Sequence, residues 1–193
     1  MEALEKFIEI ATKEFNSVAS SVDRESLEKA AEMIIEAKKN KNRLHITGIG
    51  KPSHVANYIA SLMSSTGTPA YYLNATEAVH GSSGQLVAGD VVIAISNSGE
   101  TQELKATVTA VKNNGCKIIA VTGNKNSWLA DNSDISLLAK VDHEGDILNR
   151  PPRASVLAEI FVLQCLSVLL QEDANLTVEQ YVKTHPGGML GKK

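Results

Sequence analysis

The sequence predicts an α/β fold, a three-layer sandwich built on a five-stranded parallel sheet and preceded by two helices. Three observations predict it. Five short segments rich in β-branched or aromatic residues follow one another: 44–47, 70–73, 91–95, 118–121 and 135–138. Segments such as Val91 to Ile95 are apolar at every position, the pattern of a strand buried on both faces. Helical patterns fill most of the gaps, and alternating β and α units imply a parallel sheet with right-handed crossovers and helices on both faces.

The first forty residues are helical twice over. Leu4, Phe7, Ile8, Ala11 and Phe15 make one apolar stripe at helical spacing. Asp23 is placed to cap a second helix, whose stripe is Leu27, Ala30, Ala31, Ile34 and Ala37. Within the alternating region, Val55 to Ser65 and Glu103 to Asn113 supply crossover helices. After Pro151 and Pro152 comes a helix, Arg153 to Gln171, that is apolar almost all round. Such a helix either runs through the middle of a core or packs against another subunit, and the second is expected for part of its surface. Thr177, with Gln180 three residues on, forms a capping box that opens a short helix to Tyr181. No repeat, low-complexity tract or linker interrupts the chain, so it reads as one domain over residues 1–193.

Composition narrows the functional classes. The 193 residues, 43% hydrophobic and 21% charged, supply enough material for one sizeable core. A formal net charge of -3 leaves no basic footprint for nucleic acid. The short run Lys38-Lys39-Asn40-Lys41 reads as a solvated helix end. The apolar stretch from Ala154 to Leu170 is interrupted by Ser155, Glu159, Gln164 and Ser167 and falls short of the ~20 residues of a membrane span. The acidic, amphipathic N-terminus does not read as a signal peptide. Cys116 and Cys165 sit in apolar surroundings without metal-ligand spacing and read as small buried hydrophobes in a reducing compartment. A cytoplasmic location, with neither membrane nor nucleic acid as partner, is the expectation. No metal site is expected.

Two strand-to-helix turns carry chemistry. Thr47-Gly48-Ile49-Gly50-Lys51-Pro52-Ser53 follows a strand and opens a helix, so its N–H groups point above the sheet. A dinucleotide fingerprint wants glycine where Ser53 stands and an acidic residue near Leu73-Asn74, and neither is present. A P-loop wants a hydroxyl after the lysine, where Pro52 stands. A tight turn presenting Lys51 over a small anionic ligand remains. The second turn, Ser96-Asn97-Ser98-Gly99-Glu100-Thr101, packs three hydroxyls and one amide into six residues at a helix start. Hydroxyl donors, free N–H groups and the helix dipole stabilise a phosphate dianion. Helix capping accounts for one hydroxyl but not for three plus Gly99. Glu100 is a candidate acid/base or hydroxyl ligand, or a first-turn glutamate that complements the dipole.

These turns resemble the sugar isomerase (SIS) domain family, and within it the arabinose 5-phosphate isomerases. The matching segments are Gly48 to Lys51, Ser65 to Ala70, Glu77 to Gly81, Ala94 to Thr101, Thr122-Gly123-Asn124 with Ser127, Leu129 and Ala130, and His185 to Gly191. The resemblance implies a SIS-type, flavodoxin-like sheet and a cofactor-free interconversion of D-arabinose 5-phosphate and D-ribulose 5-phosphate. It also implies a homotetramer whose sites are shared between subunits. Relatives often carry CBS domains after the segment that here ends the chain, so a SIS domain without them is expected. Lys51, Glu100, Glu144 and His185 then become the catalytic set, with Glu144 or Glu100 as base, His185 for ring opening or proton shuttling, and Lys51 for positive charge. The substrate-binding set is Gly50, Ser53, His80, Ser96, Asn97, Ser98, Thr101, Arg153 and Ser155.

The chain departs from the family pattern in places. Pro52 stands where a serine is usual, and Ser82 replaces an aspartate. After Glu144, the family's Glu-Ala-Cys-Pro and Pro-Thr-Ser-Ser-Thr become Glu144-Gly145-Asp146-Ile147 and Pro152-Arg153-Ala154-Ser155-Val156. Hydroxyls are lost there and Arg153 is gained, which offers either a bidentate phosphate clamp or the mark of another substrate. Two alternatives stay open: a phosphosugar sensor that binds without turnover, and an isomerase of another sugar phosphate such as a hexulose 6-phosphate. His45 reads as a core or sheet-face residue, and Trp128 and Met189 as packing.

Overall fold

Strands β1 (Leu44–Gly48), β2 (Ala70–Tyr72), β3 (Val91–Ile95), β4 (Lys117–Thr122) and β5 (Ile135–Leu138) form one parallel sheet in a computed structural model that describes residues 1–189. Their order is β2-β1-β3-β4-β5. Every residue of β1 and β3 is buried. The reason is visible in β3: Val91, Ile93 and Ile95 enter one apolar layer, and Val92 and Ala94 enter the other. Alternation is absent from the sequence because both faces are covered.

Helices α1 (Glu2–Ser21), α2 (Arg24–Lys39), α3 (Lys51–Ser65) and α7 (Ala154–Asp173) cover the first face. Asp23 caps α2 by accepting from the Ser26 N–H at 3.2 Å. Helices α4 (Ala75–Ala78), α5 (Gln102–Asn113) and α6 (Trp128–Asp131) cover the second. A short tail helix, α8 (Val178–Lys183), opens on the Thr177–Gln180 capping box. Leu190 and Gly191, part of the C-terminal resemblance, lie outside the described residues.

This topology places the site. β1 leads into α3 on one face, and β3 leads into α5 on the other, while β1 and β3 are neighbours with Gly48 opposite Ile95. The two crossovers therefore part between adjacent strands and leave a crevice at their carboxyl ends, the switch point where ligands of open α/β sheets bind. Both chemistry-bearing turns border it.

Several elements differ from the sequence reading. Helix α3 begins at Lys51, directly after the glycine turn, and not at Val55. Leu73 has left β2. Helices α4 and α6 span four residues each, too few to show a 3.6-residue period. Helix α7 runs 20 residues and is long and apolar enough, by length and composition, to cross a membrane. The sequence run looked shorter because its polar residues interrupt it, yet Ser155, Glu159 and Ser167 all turn inward. Helices α1, α2 and α3 flank α7, which is thus the middle helix of its layer, and Leu157 and Val168 stay exposed on it. The core accounts for the inward part of its apolar surface, without a subunit contact.

Candidate functional site

The turn from Ser96 to Thr101 is built by its own hydroxyls. Ser96, at the end of β3, is 4% exposed, and its Oγ accepts from the Gly99 N–H at 3.1 Å. Ser98 Oγ, exposed, accepts from the Glu100 N–H at 3.2 Å. Thr101 occupies the N-cap of α5 but makes no side-chain cap bond; its Oγ1 lies 3.2 Å from Ser96 Oγ instead. The first-turn N–H groups of a 12-residue helix are thus left without a side-chain cap from Thr101 beside three clustered hydroxyls. Thr101 capping does not account for this arrangement, and a helix start of this kind is suited to an anion.

A second loop, between β4 and α6, locks this turn. Asn97 O accepts from the Gly123 N–H at 2.9 Å and from Thr122 Oγ1 at 3.2 Å. Asn97 therefore ties the two loops together, and a Cβ on Gly123 would come within 2.3 Å of its Oδ1. Gly99 has φ +67, and a Cβ there would stand 2.1 Å from Ser127 Oγ. Ser127 is itself buried and caps α6. These two glycines are where the backbones need the room.

Glu100 joins the same lock. Its Oε1 accepts from the Trp128 N–H at 2.7 Å, and its Oε2 meets Lys105 Nζ at 2.6 Å. The Lys105 hydrogen bond, followed by the Trp128 N–H, holds its carboxyl below the usual carboxylate range. The carboxylate is half-exposed and bridges α5 to α6.

On the other side of the crevice, Gly50 takes φ 66 at the N-cap of α3, and Lys51 is the exposed first residue of that helix. Nothing lies within 4 Å of a Cβ built on Gly50, so backbone conformation alone calls for glycine there. Gly48 is different: a Cβ would come 2.9 Å from the Pro52 carbonyl carbon, so helix and strand meet closely. Ser53 Oγ donates back to Gly50 O at 2.6 Å, which makes it a turn-fixing group. His80 is exposed just after α4, and α4 packs on α5.

Glu144 and Arg153 meet at the start of α7. Glu144 is buried, and its Oε2 accepts from the Arg153 N–H at 2.6 Å and the Ser155 N–H at 3.1 Å. A distant glutamate thus caps the helix. Arg153 does not stand free as a phosphate clamp: its guanidinium pairs with Asp146. Asp146 and Arg153 both depart from the pattern of the resembling family, and they neutralise each other. Asp146 also accepts from the Leu148 and Asn149 N–H groups and so shapes the loop. Ser155 is 1% exposed, with its hydroxyl enclosed and unpartnered among the described residues.

His185 is not brought to this crevice within one chain. Its Nδ1 donates to Tyr181 O at 2.9 Å and its ring stacks on Tyr181 at 4.1 Å. The preceding Thr184 Oγ1 lies 3.3 Å from Ser65 O, at the last residue of α3. Lys51 opens the same helix, and 15 residues separate its ends by about 20 Å at 1.5 Å per residue. Two groups escaped the sequence reading, Lys105 and Glu159. Lys105 was hidden because its partner Glu100 is five residues away, off the usual helical spacing. Glu159 was hidden inside an apolar run. No group of three or more His, Cys, Asp or Glu residues able to hold a metal ion occurs among the described residues.

Comparison with known proteins agrees with the architecture. The SIS domain family matches residues 38–169. The chain is 39% identical over 99% of its length to the arabinose 5-phosphate isomerase KdsD of Francisella tularensis, covering 58% of that protein. It is 36% identical over 86% of its length to KdsD of Pseudomonas aeruginosa, covering 50%. The chain spans about half the length of the curated relatives it matches. Among solved structures, an Escherichia coli CFT073 protein in complex with arabinose 5-phosphate superposes with a TM-score of 0.85, at 32% identity, over 95% of both chains. With the family match over most of the chain and this superposition over nearly all of it, the chain belongs to the SIS domain family.

Proposed function

We propose that the protein is an aldose–ketose isomerase that interconverts D-arabinose 5-phosphate and D-ribulose 5-phosphate through a cis-enediol, without a cofactor. The observation that carries this reading is the uncapped start of α5 facing the Ser96, Ser98 and Thr101 hydroxyls, in a chain 32% identical to a protein solved with arabinose 5-phosphate. The phosphate sits on that helix start, where Ser96, Ser98 and Thr101 turn their O–H groups to its oxygens. His80 binds sugar hydroxyls at the same edge.

Glu144 is the base. It takes the proton from the carbon beside the carbonyl and returns it to the former carbonyl carbon. The hydroxyl proton passes between the two oxygens through His185, so the reaction conserves every atom and electron. Lys51 stabilises the enediolate as charge develops. Glu100, engaged by Lys105 and Trp128, positions the turn and does not take the proton. Arg153 reaches substrate only by leaving Asp146.

His185 stands at the far end of α3 from Lys51, which supports a homotetramer in which His185 of one subunit completes the crevice of another. Two unpaired cysteines support a cytoplasmic location. The test is incubation of the pure protein with arabinose 5-phosphate in deuterated water. Ribulose 5-phosphate with deuterium at the exchanging carbon is the expected outcome. Binding without product or exchange overturns the enzyme reading.

A further inference from the structure

The inner stripe of α7 runs through Ala158, Val162, Leu163, Leu166 and Leu170, all buried, and one carboxyl interrupts it. Glu159 is 1% exposed, and its Oε2 is enclosed without a hydrogen-bond partner among the described residues. One helical turn earlier, Ser155 is equally enclosed, and its Oγ is also unpartnered. The Ser155 N–H donates to Glu144 Oε2. Three polar groups thus descend from the site loop into the core at the first turns of α7. A carboxyl without a partner in an apolar layer destabilises a fold, and a leucine or glutamine of similar size fits the same space. Groups retained against stability cluster at functional sites.

We propose that Glu159 is a positioning residue of the site, a buried carboxyl that acts on the sugar phosphate through Glu144 and limits the α7 end of the site to one negative charge. The proposal rests on the isomerase reading for its substrate. Burial pushes the Glu159 carboxyl up to about 8, and the Glu144 charge acts in the same direction. Glu159 therefore keeps its proton across the neutral range. Above that range it ionises, a second carboxylate stands near Glu144, and the phosphate dianion and the enediolate both meet added repulsion.

Other charges surround α7 without replacing Glu144 in this role. Lys51 and His54 on α3 are exposed. Glu14 on α1 accepts from the Asp142 N–H, and Arg153 is paired with Asp146. Asp23 at the N-cap of α2, and Arg24 and Glu28 on that helix, lie beside Val162, Cys165 and Leu169, farther along α7.

The experiment follows kcat/KM for arabinose 5-phosphate from about pH 6 to about pH 9.5 in the intact protein and in Glu159→Gln and Glu159→Thr. The wild type bends downward near pH 8. In the variants the bend moves up by about one unit or more, so the activity at pH 9 relative to pH 7 rises about fivefold. A bend at the same pH in a folded variant overturns the proposal. Carboxyl 13C NMR reads the pair without turnover: the Glu159 signal, identified by its loss in whichever variant folds, titrates near 8 and moves lower in Glu144→Gln. A Glu159 titration indifferent to Glu144→Gln overturns the proposal even in an active enzyme. An intact pair in a protein that turns over no arabinose 5-phosphate overturns the isomerase reading instead.

Discussion

Thr101 turns its hydroxyl toward Ser96, 3.2 Å away, and leaves the start of α5 without the side-chain cap its position would supply. Thr101, which its position assigns to helix capping, pairs instead with Ser96, and this leaves the helix start free for the anion of the proposed function. Ser96→Ala removes one charge-assisted hydrogen bond to the phosphate, worth about 1.5–3 kcal/mol. KM for arabinose 5-phosphate rises by roughly tenfold to a hundredfold, as steady-state kinetics will read.

Gly99→Ala places a methyl group 2.1 Å from Ser127 Oγ at a backbone with φ +67. Ser127 caps α6 and is buried, so it has no room to retreat. The expected loss is about 2 kcal/mol or more, read as a fall in Tm of several degrees, roughly 2–4 °C per kcal/mol for a chain of this size. An unchanged Tm would show that the two loops are not locked.

The two glutamates separate by kinetics. Glu144→Gln removes the proposed base, and kcat falls by about 10²–10⁴. Glu100→Gln keeps an acceptor for the Trp128 N–H but weakens the Lys105 link, so its effect falls on KM and on the order of the turn. Deuterium exchange into substrate checks the assignment, because exchange persists in Glu100→Gln and is lost in Glu144→Gln.

Lys51 opens α3, and His185 lies beside its far end, so the proposed oligomer predicts that single variants at the two positions complement one another. If the proposed sites are shared between subunits, Lys51→Ala and His185→Ala are each inactive, and subunits of the two kinds, co-refolded, form some sites with both groups intact. Activity recovered in the mixture, and absent from either parent, is the expected result.

Glu159 links stability to pH in a definite direction. Its folded-state carboxyl lies near 8, above the ordinary 4.5. Between these values the unfolded chain releases a proton that the folded chain keeps, so stability falls as pH rises through this window and levels off above it. Glu159→Gln removes this loss. Denaturation of the variant and the wild type at pH 5 and pH 8 shows the variant gaining on the order of a few kcal/mol relative to wild type at the higher pH.

Much of this was legible in the residues. The continuous apolar run of β3 announced a sheet covered on both faces, and Asp23 and Thr177 announced the helices they cap. The phosphate turn was legible because hydroxyls cluster there without another local use. What escaped depends on contacts between distant segments. Asp146 and Arg153 are seven residues apart, and their pairing arises from the fold of the loop between them. Glu144 caps a helix nine residues away through a loop whose path no periodicity encodes. The polar residues of α7 suggested a broken run, whereas the fold turns Ser155, Glu159 and Ser167 inward.

The lock between the phosphate turn and the β4–α6 loop has a thermodynamic consequence. Gly99 O accepts from the Leu129 N–H at 3.1 Å, the Gly123 N–H reaches Asn97, and Glu100 holds the Trp128 N–H, so the backbone around the anion site is fixed by contacts internal to the chain. A sugar phosphate meets a grip whose conformational entropy was surrendered on folding. On the proposed function, binding then orders the ligand more than the protein, and discrimination among sugar phosphates falls to residues outside this preset turn.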